Sequence, residues 1–450
     1  MFLAHWNTGV MGKAVAVIFA TCLGWASEAV IATPWQAEGT KIAETSSTAK
    51  PIPQNREELK KQLHELKGRK SRLPLPAKES IANNGGASNS NRSVVNNGLA
   101  RRTYLPAAWF AADFGNDPAM TLTYVFKTQC FWIVSRGNNC HYCLGHQEHK
   151  LHDAGLTDKQ IAWLDYDWSR LDPMLQKGAA LSRTLTLTPH QVDDRLIESL
   201  RPEFQDPQII ELVYTIAMFN SVNRWTDALG LPQDSIMREK PIDFLTPVDD
   251  EFRGKEGGLA AVDPRATDRK LPTFAEVVKQ MKSSESRPAR VDLPSEEATR
   301  KMLGIADPQV PVAKWERALA TFPEVGKRQW DALQSMKSEG HLSEKIKTLI
   351  AWTSARHNGA STASRLAYER FEKLGLTSSD IERVDRKEGL SSVELLVTQF
   401  AVKLTEHPQR ITDADIEQLR AEFNDQQVAE IVYLIAAANM FDRFTEALAL

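Results

Sequence analysis

The sequence predicts an all-α protein built from two related helical units, and three observations predict it. Apolar residues recur at helical spacing between capping residues, with little of the alternation that strands require. The stretch RPEFQDPQIIELVYTIAMFNSVNRWTDALGL, from Arg201, lines up with RAEFNDQQVAEIVYLIAAANMFDRFTEALAL, which ends at Leu450. That match runs through charged, aromatic and helix-breaking positions alike, as an internal repeat does. Finally, residues 138–149 (NNCHYCLGHQEH) hold two of the four cysteines and three of the ten histidines, and only one unit carries them.

Length and composition set the outer bounds. A chain of 450 residues suggests two or three domains. Hydrophobic content of 42% and charged content of 25% fit a globular protein with real cores. A net charge of −3 argues against nucleic acid or an anionic membrane surface as partner. The tryptophans and Tyr214 read as core, with no interleaved basic patch.

Taken in order, residues 1–30 read as a signal peptide. Lys13 precedes an apolar run, 14–25, and the small residues Ala26, Ser27 and Ala29 follow it. The run is too short to span a bilayer comfortably, so no membrane span is expected. Cys22 lies inside it and would be lost on cleavage, and residues 19–22 make a poor lipoprotein box. The expectation is export to a periplasmic or extracellular location, where a CxxC pair can act as a disulfide. Residues 31–100 carry Pro51, Pro53, Pro74, Pro76 and the run NNGGASNSNRSVVNNG, which reads as a flexible linker. A charged helix over 56–72 interrupts it, its charges forming a solvated face.

Residues 101–235 form the first globular unit. Thr188, Pro189 and Gln191 read as a helix start, and 206–229 as a long apolar helix stopped at Gly230 and Pro232. Residues 236–306 are rich in Pro, Gly and charge and read as a connector with one helix over 273–281. Residues 307–450 form the second unit. The alignment places Asn220 on Asn439, Arg224 on Arg443, Cys140 on Ala360, Cys143 on Ala363 and His146 on Leu366.

The cysteine motif reads first as a redox dithiol. Asn138 and Asn139 are good N-cap residues, and a helix runs from Cys140 to near Gly155, weakened only by Gly145. Cysteines two residues apart at a helix start can close a small ring, and the helix dipole favours a thiolate there. A metal site is the main rival. Cys140, Cys143, His146 and His149 have zinc-ligand chemistry, but on one helix they spread over roughly 13 Å and turn by about 180°, too far for one tetrahedral ion. Both cysteines with one His and a ligand from elsewhere stay possible, as do buried cysteines with solvated histidines. A thiol near its free pKa needs a base. From Cys143, one turn on is His146 or Gln147, and of these only His146 carries a proton. His149 is turned aside, as a supporting or surface residue. His141 either depresses the Cys140 pKa or is exposed and idle. Glu148 faces away and is solvated, and Cys130 is a buried packing residue. Asn220, Asn223 and Arg224 line the pocket mouth or serve the helix interface.

The run NNCHYCLGHQEH in an all-helical unit, followed by a late helix ending NRWTDALGLP, resembles the carboxymuconolactone decarboxylase family, and more closely its alkylhydroperoxidase D-like branch. The resemblance covers the first unit well and the second in degenerate form, about three-fifths of the chain. It implies two tandem alkylhydroperoxidase D-like helical bundles, the second degenerate, in a homo-oligomer or with the two repeats paired within the chain. It further implies a peroxide-reducing dithiol that needs no metal and no cofactor beyond its redox-active disulfide. The cysteine matching Cys143 attacks a hydroperoxide, the one matching Cys140 resolves the sulfenic acid, and a thiol or dithiol reductant reopens the disulfide. Two positions depart from the family. Its relay histidine, four residues after the second cysteine, is Gln147 here, and its helper glutamate falls near Thr128 and Gln129. The alternatives are a non-catalytic binding or scaffold protein with a structural disulfide, and a carboxymuconolactone decarboxylase-like enzyme.

Overall fold

The computed structural model describes residues 51–76, 96–109, 117–234, 236–237, 240–241, 244, 246–261 and 269–450. The expected signal peptide, and most of the Gly/Ser/Asn-rich run, lie outside the described residues. The architecture is all-α. In chain order the helices are α1 (Arg56–Glu65), α2 (Asn96–Tyr104), α3 (Tyr124–Gly137), α4 (His141–Asp153), α5 (Asp158–Tyr166), α6 (Pro173–Leu187), α7 (Asp194–Glu198) and α8 (Asp206–Ala228). After a two-residue antiparallel ladder, Ile236–Met237 with Lys240–Pro241, come α9 (Phe274–Ser286), α10 (Glu296–Leu303), α11 (Lys314–Leu319), α12 (Pro323–Ser338) and α13 (Glu344–Asn358). The chain ends with α14 (Ser361–Lys373), α15 (Ser378–Asp385), α16 (Ser392–Glu406), α17 (Asp413–Glu422) and α18 (Asp425–Leu448). Among the described residues no helix is long and apolar enough to cross a membrane.

Local signals place the ends of these helices. Thr157 and Gln160 form a capping box at α5, Asp172 caps α6 ahead of Pro173, and Asn424 with Gln427 does the same for α18. The helices α8 and α18 are apolar on nearly every face, which suits burial on all sides. They pack against each other at the centre. Tyr214 sets its edge on Phe444 at 5.9 Å, and Trp225 sets its edge on Tyr433 at 5.5 Å. The Tyr433 hydroxyl donates to Trp109 O at 2.6 Å. The described residues, from 51 onward, accordingly form one compact unit.

Polar bonds recur at the positions the repeat matches. Lys127 pairs with Glu211 at 2.9 Å, and Glu211 also accepts from the Thr121 and Leu122 amides. Lys347 lies 3.9 Å from Glu430, which accepts from the His341 and Leu342 amides. Arg136 pairs with Asp165 and donates to Pro53 O, while Arg356 pairs with Asp385 and donates to Pro272 O. Asn138 Nδ2 donates to Asn220 and Asn223, and Asn358 Nδ2 donates to Asn439 and Asp442. Arg224 donates to Thr405 O on the second half, and Arg443 donates to Leu185 O and Thr186 O on the first. Each half thus lends an arginine to the last carbonyls of a helix in the other, where the helix dipole favours a cation.

Several expectations are corrected. The segment 51–76 is not a flexible tether with a solvated helix: Arg56, Leu59, Lys60, Leu63 and Leu73 are buried. Arg72 donates to Asp227 O, Ala228 O and Ile411 O, closing the end of α8. The connector does the matching work for α18, because Arg290 Nη1 donates to Val192 O, Glu446 O and Ala447 O. Its expected helix is α9, longer by several residues, and α10 is an additional one. Thr188 starts only a 3₁₀ turn over Pro189–Gln191. Its hydroxyl donates back to Thr184 O at 3.3 Å instead of capping, and Asp193 caps the next helix.

Removing the Arg290 side chain strands three backbone carbonyls, two of them at the end of α18. Arg290→Ala is expected to lower the unfolding free energy by about 1–3 kcal/mol in urea denaturation, whereas the exposed Lys301→Ala stays within about 0.5 kcal/mol.

Candidate functional site

The cysteine motif sits where α3 turns sharply into α4. Helix α3 runs to Gly137, so Asn138 is its C-cap and Asn139 takes the left-handed region at φ 50°. Asn reaches that region more readily than most residues. The expected N-caps are therefore displaced by one position, and Cys140 itself caps α4. Cys143 N–H donates to Cys140 Sγ at 3.4 Å. Asn139 is buried, and its side-chain amide has no hydrogen-bond partner among the described residues.

Both sulfurs meet one hydroxyl. Thr226 Oγ1, on α8, lies 3.3 Å from Cys140 Sγ and 3.2 Å from Cys143 Sγ. That hydroxyl donates its proton to Val222 O at 2.9 Å, so it is left as the acceptor for two S–H groups. Both cysteines are free thiols, Cys140 fully enclosed and Cys143 2% exposed. Burial pushes the Cys140 thiol well above its usual pKa, and the neighbouring Cys143 and the Asp227 charge add to this.

The histidines lie elsewhere than the sulfurs. His146 Nδ1 faces Tyr142 O at 2.6 Å and Nε2 faces Asp234 Oδ2 at 2.8 Å. Both partners are acceptors, so the ring satisfies both only with a proton on each nitrogen. Tyr142 OH also donates to Asp234 at 3.0 Å, and its ring lies 4.2 Å from that of His146. Burial raises the Asp234 carboxyl, but the His146 bond and charge, with the Asn96 amide and the Tyr142 hydroxyl, hold it below its ordinary value. His141 is neither exposed nor idle: it is buried, with Nε2 2.8 Å from Gln62 Oε1 of α1. His149 pairs with Asp153 at 3.4 Å. Gln147 is buried and donates to Cys143 O at 3.2 Å. Asn220 and Arg224 belong to the lock between the halves, with Asn220 Nδ2 on Thr186 Oγ1 at 3.0 Å. Gly145 is explained by Gln233, whose amide donates to His141 O and Tyr142 O across a space that any Cβ at 145 would fill. Cys130 is buried as expected, its thiol pushed up to about 12 by burial.

Glu148 corrects the expectation of a solvated carboxylate. It is 4% exposed and takes two bonds from Arg56, at 3.1 and 2.8 Å, and one from Trp132 Nε1 at 2.6 Å. Asp158 completes the group through Arg56 at 2.7 Å and Lys60 at 2.6 Å. Helical spacing turned Glu148 away from Cys143 correctly, but α1 covers that face. Ligand atoms of Glu148, His152 and Asp158 lie within 4.8 Å of one another, yet Arg56 and Lys60 already neutralise the two carboxylates.

The second half keeps this scaffold without its chemistry. Ala360 takes φ −92° and ψ 98°, close to the −81° and 100° of Cys140. Thr445 bonds back to Phe441 O at 2.9 Å as Thr226 does to Val222 O. Around Ala363 and Phe441 lies a cavity of about 400 Å³ lined by Trp315, Leu333, Met336 and Leu434.

Sequence comparison adds one relative. No family model matches the chain. Over 101 residues it is 31% identical to the "Uncharacterized protein YdfG" of Bacillus subtilis (strain 168), a match covering 22% of this chain and 68% of that protein. The chain belongs to the family of that protein, whose description assigns no activity.

Three residues of the site were not anticipated. Thr226 lies inside the repeated tail NRWTDALG, but only packing brings its hydroxyl to both sulfurs. Asp234 follows the Gly230 stop in irregular chain and shows no periodicity. Arg56 lay in a segment whose composition suggested a tether.

Two outcomes follow. Arg56→Met leaves Glu148 buried and unpaired, which costs about 3–5 kcal/mol; the double variant with Glu148→Met recovers most of this in equilibrium unfolding. Burial raises the Asp158 carboxyl, but Arg56 and Lys60 bring it down from 3.8 to about 2. Its stabilisation is therefore present above about pH 4 and lost as pH falls toward 2, and Asp158→Asn is expected to flatten the stability profile across that window.

Proposed function

We propose that the protein is a thiol-dependent peroxidase or disulfide reductase of the alkylhydroperoxidase D-like type, with Cys140 and Cys143 as its dithiol. The observation that carries this reading is the meeting of both sulfurs on the Thr226 hydroxyl at the start of α4. An S–H acceptor shared by two thiols keeps them adjacent and reduced, and by rotating away from Val222 O it becomes a donor to a thiolate. In this reading Cys143, the sulfur with some exposure, attacks the hydroperoxide. The O–O bond breaks, Cys143 becomes a sulfenic acid, and the alkoxide leaves with a proton as alcohol. Cys140, kept as a thiol by burial until then, gives its proton to the departing hydroxide as its sulfur attacks the sulfenic sulfur, so the disulfide forms with loss of water. An external thiol or dithiol returns two electrons and two protons. His146 is the proton carrier in this reading: it stands one turn beyond Cys143, and its ring turns from Tyr142 O and Asp234 to meet the reacting oxygens. The two halves take the place of the paired subunits that the resemblance implies, the second lacking the cysteines. Export through residues 1–30 belongs to the same reading and leaves the reductant to be sought outside the cytosol.

The test is a titration of the prereduced protein with an organic hydroperoxide, followed by thiol trapping and intact mass. One equivalent is expected to close a Cys140–Cys143 disulfide, with Cys143→Ser abolishing oxidation and Cys140→Ser stopping at the sulfenic acid. His146→Ala should slow the reaction by about 10²-fold or more near neutral pH and His149→Ala should not. Thr226→Val should slow it while leaving the fold intact. A pair that stays reduced under excess peroxide overturns the reading.

The 400 Å³ cavity of the second half favours a binding role for that half, since it has the size and apolar lining of a small-molecule site. Saturable binding of an apolar fluorophore, lost in Ala438→Trp, would support that role; binding unchanged in the variant would remove it.

A further inference from the structure

A second enclosed site lies away from the sulfurs, where the two halves meet. It has a volume of about 90 Å³, room for several waters. Arg224 and Arg443 form its floor, while Arg269 and the exposed Arg410 stand at its mouth. Four arginines therefore line one small space. The carboxylate lining it is Glu406, already paired with His357 at 2.7 Å.

The two floor arginines are 1% exposed. Each is partly compensated by helix-end carbonyls, Thr405 O for Arg224 and Leu185 O with Thr186 O for Arg443. They share one buried carboxylate, Asp442, whose counterpart in the first half is the neutral Asn223. Asp442 is also burdened, because burial pushes it up to about 7 despite Asn358 and both arginines. Arg443 bonds through its Nε to Leu185 O, but the Nε of Arg224 has no partner among the described residues. Burial, and then the charge of Arg443, lower the Arg224 pKa. At the mouth, burial and the Arg269 charge push His190 down to about 4. A buried guanidinium with an orphaned donor, in a polar cavity of excess positive charge, is costly unless an anion completes it.

We propose that this cavity binds a small oxyanion, a phosphate or a carboxylate, held between Arg224 and Arg443 at the floor and Arg269 and Arg410 at the mouth. Planar guanidinium forks suit both anion classes, and the cavity volume restricts the ligand to a small one. The site is independent of the dithiol chemistry, since it uses none of the residues assigned there. Arg224 and Arg443 also hold the halves together, so an occupant adds to that junction and raises stability by mass action.

The test is isothermal titration of the full chain with sodium phosphate and, separately, sodium acetate, each at ionic strength matched with sodium chloride. One of the two anions is expected to bind saturably at one site per chain with a Kd below about 1 mM. Tighter phosphate identifies a phosphoryl ligand, and tighter acetate a carboxylate ligand. Because the floor arginines are structural and Arg269 donates to His357 O, the variant is Arg410→Met, which should weaken binding at least about tenfold and keep the anion-free melting temperature. No saturable binding of either anion, or equal affinity in the variant, overturns the proposal.

Discussion

The structure depends on a reciprocal lock between two asparagine–arginine pairs. Asn138 ties the end of α3 to α8, and Arg224 carries that tie across to the end of α16; Asn358 and Arg443 do the same in the other direction. Neither arginine can be removed without stranding carbonyls at the end of a helix in the opposite half. The apolar faces of α8 and α18 supply most of the burial, but apolar contact is nondirectional. The lock fixes which turn of one helix meets which turn of the other. It also fixes the site, because Asn138 immediately precedes the turn into the cysteine helix and Thr226 follows Arg224 by two residues.

Scaffold and chemistry separate cleanly when the halves are compared. The turn into α14 keeps the backbone of the turn into α4 although alanine replaces both cysteines. That turn therefore needs no disulfide and no sulfur to form. What the first half adds is a set of side chains: two thiols on a shared hydroxyl, a histidine on a carboxylate, and Arg56 neutralising Glu148. The second half carries an apolar cavity in the corresponding region. Chemistry of this kind is grafted onto a fold by a few side chains.

The segments before and between the two halves matter more than their composition suggests. Pro, Gly and charge usually mark tethers, and here the charges are arginines that close helix ends. Arg72 and Arg290 each gather carbonyls from the last helix of one half and from the other half. Their long side chains let an irregular backbone do this from a distance.

Much of the fold was legible in the sequence because its signals are local. Helical periods, the stop at Gly230 and Pro232, and the repeat gave the all-α class and the long helices α8 and α18. The cysteine helix was legible too, displaced by one residue, because an Asn in the left-handed region looks like an N-cap in sequence. The spacing of Cys140 and Cys143 put both thiols at the start of one helix, but the expectation of His146 beside them did not foresee its contacts with Tyr142 O and Asp234. The sequence by itself thus determined the elements, their pairing by repetition and the location of the thiols. Tertiary structure alone decided that Glu148 is buried, that Thr226 joins both sulfurs, that His146 turns to Asp234, and that four arginines surround one cavity. Each of these is a contact between residues far apart in the chain, and period and capping report only on neighbours within a turn or two.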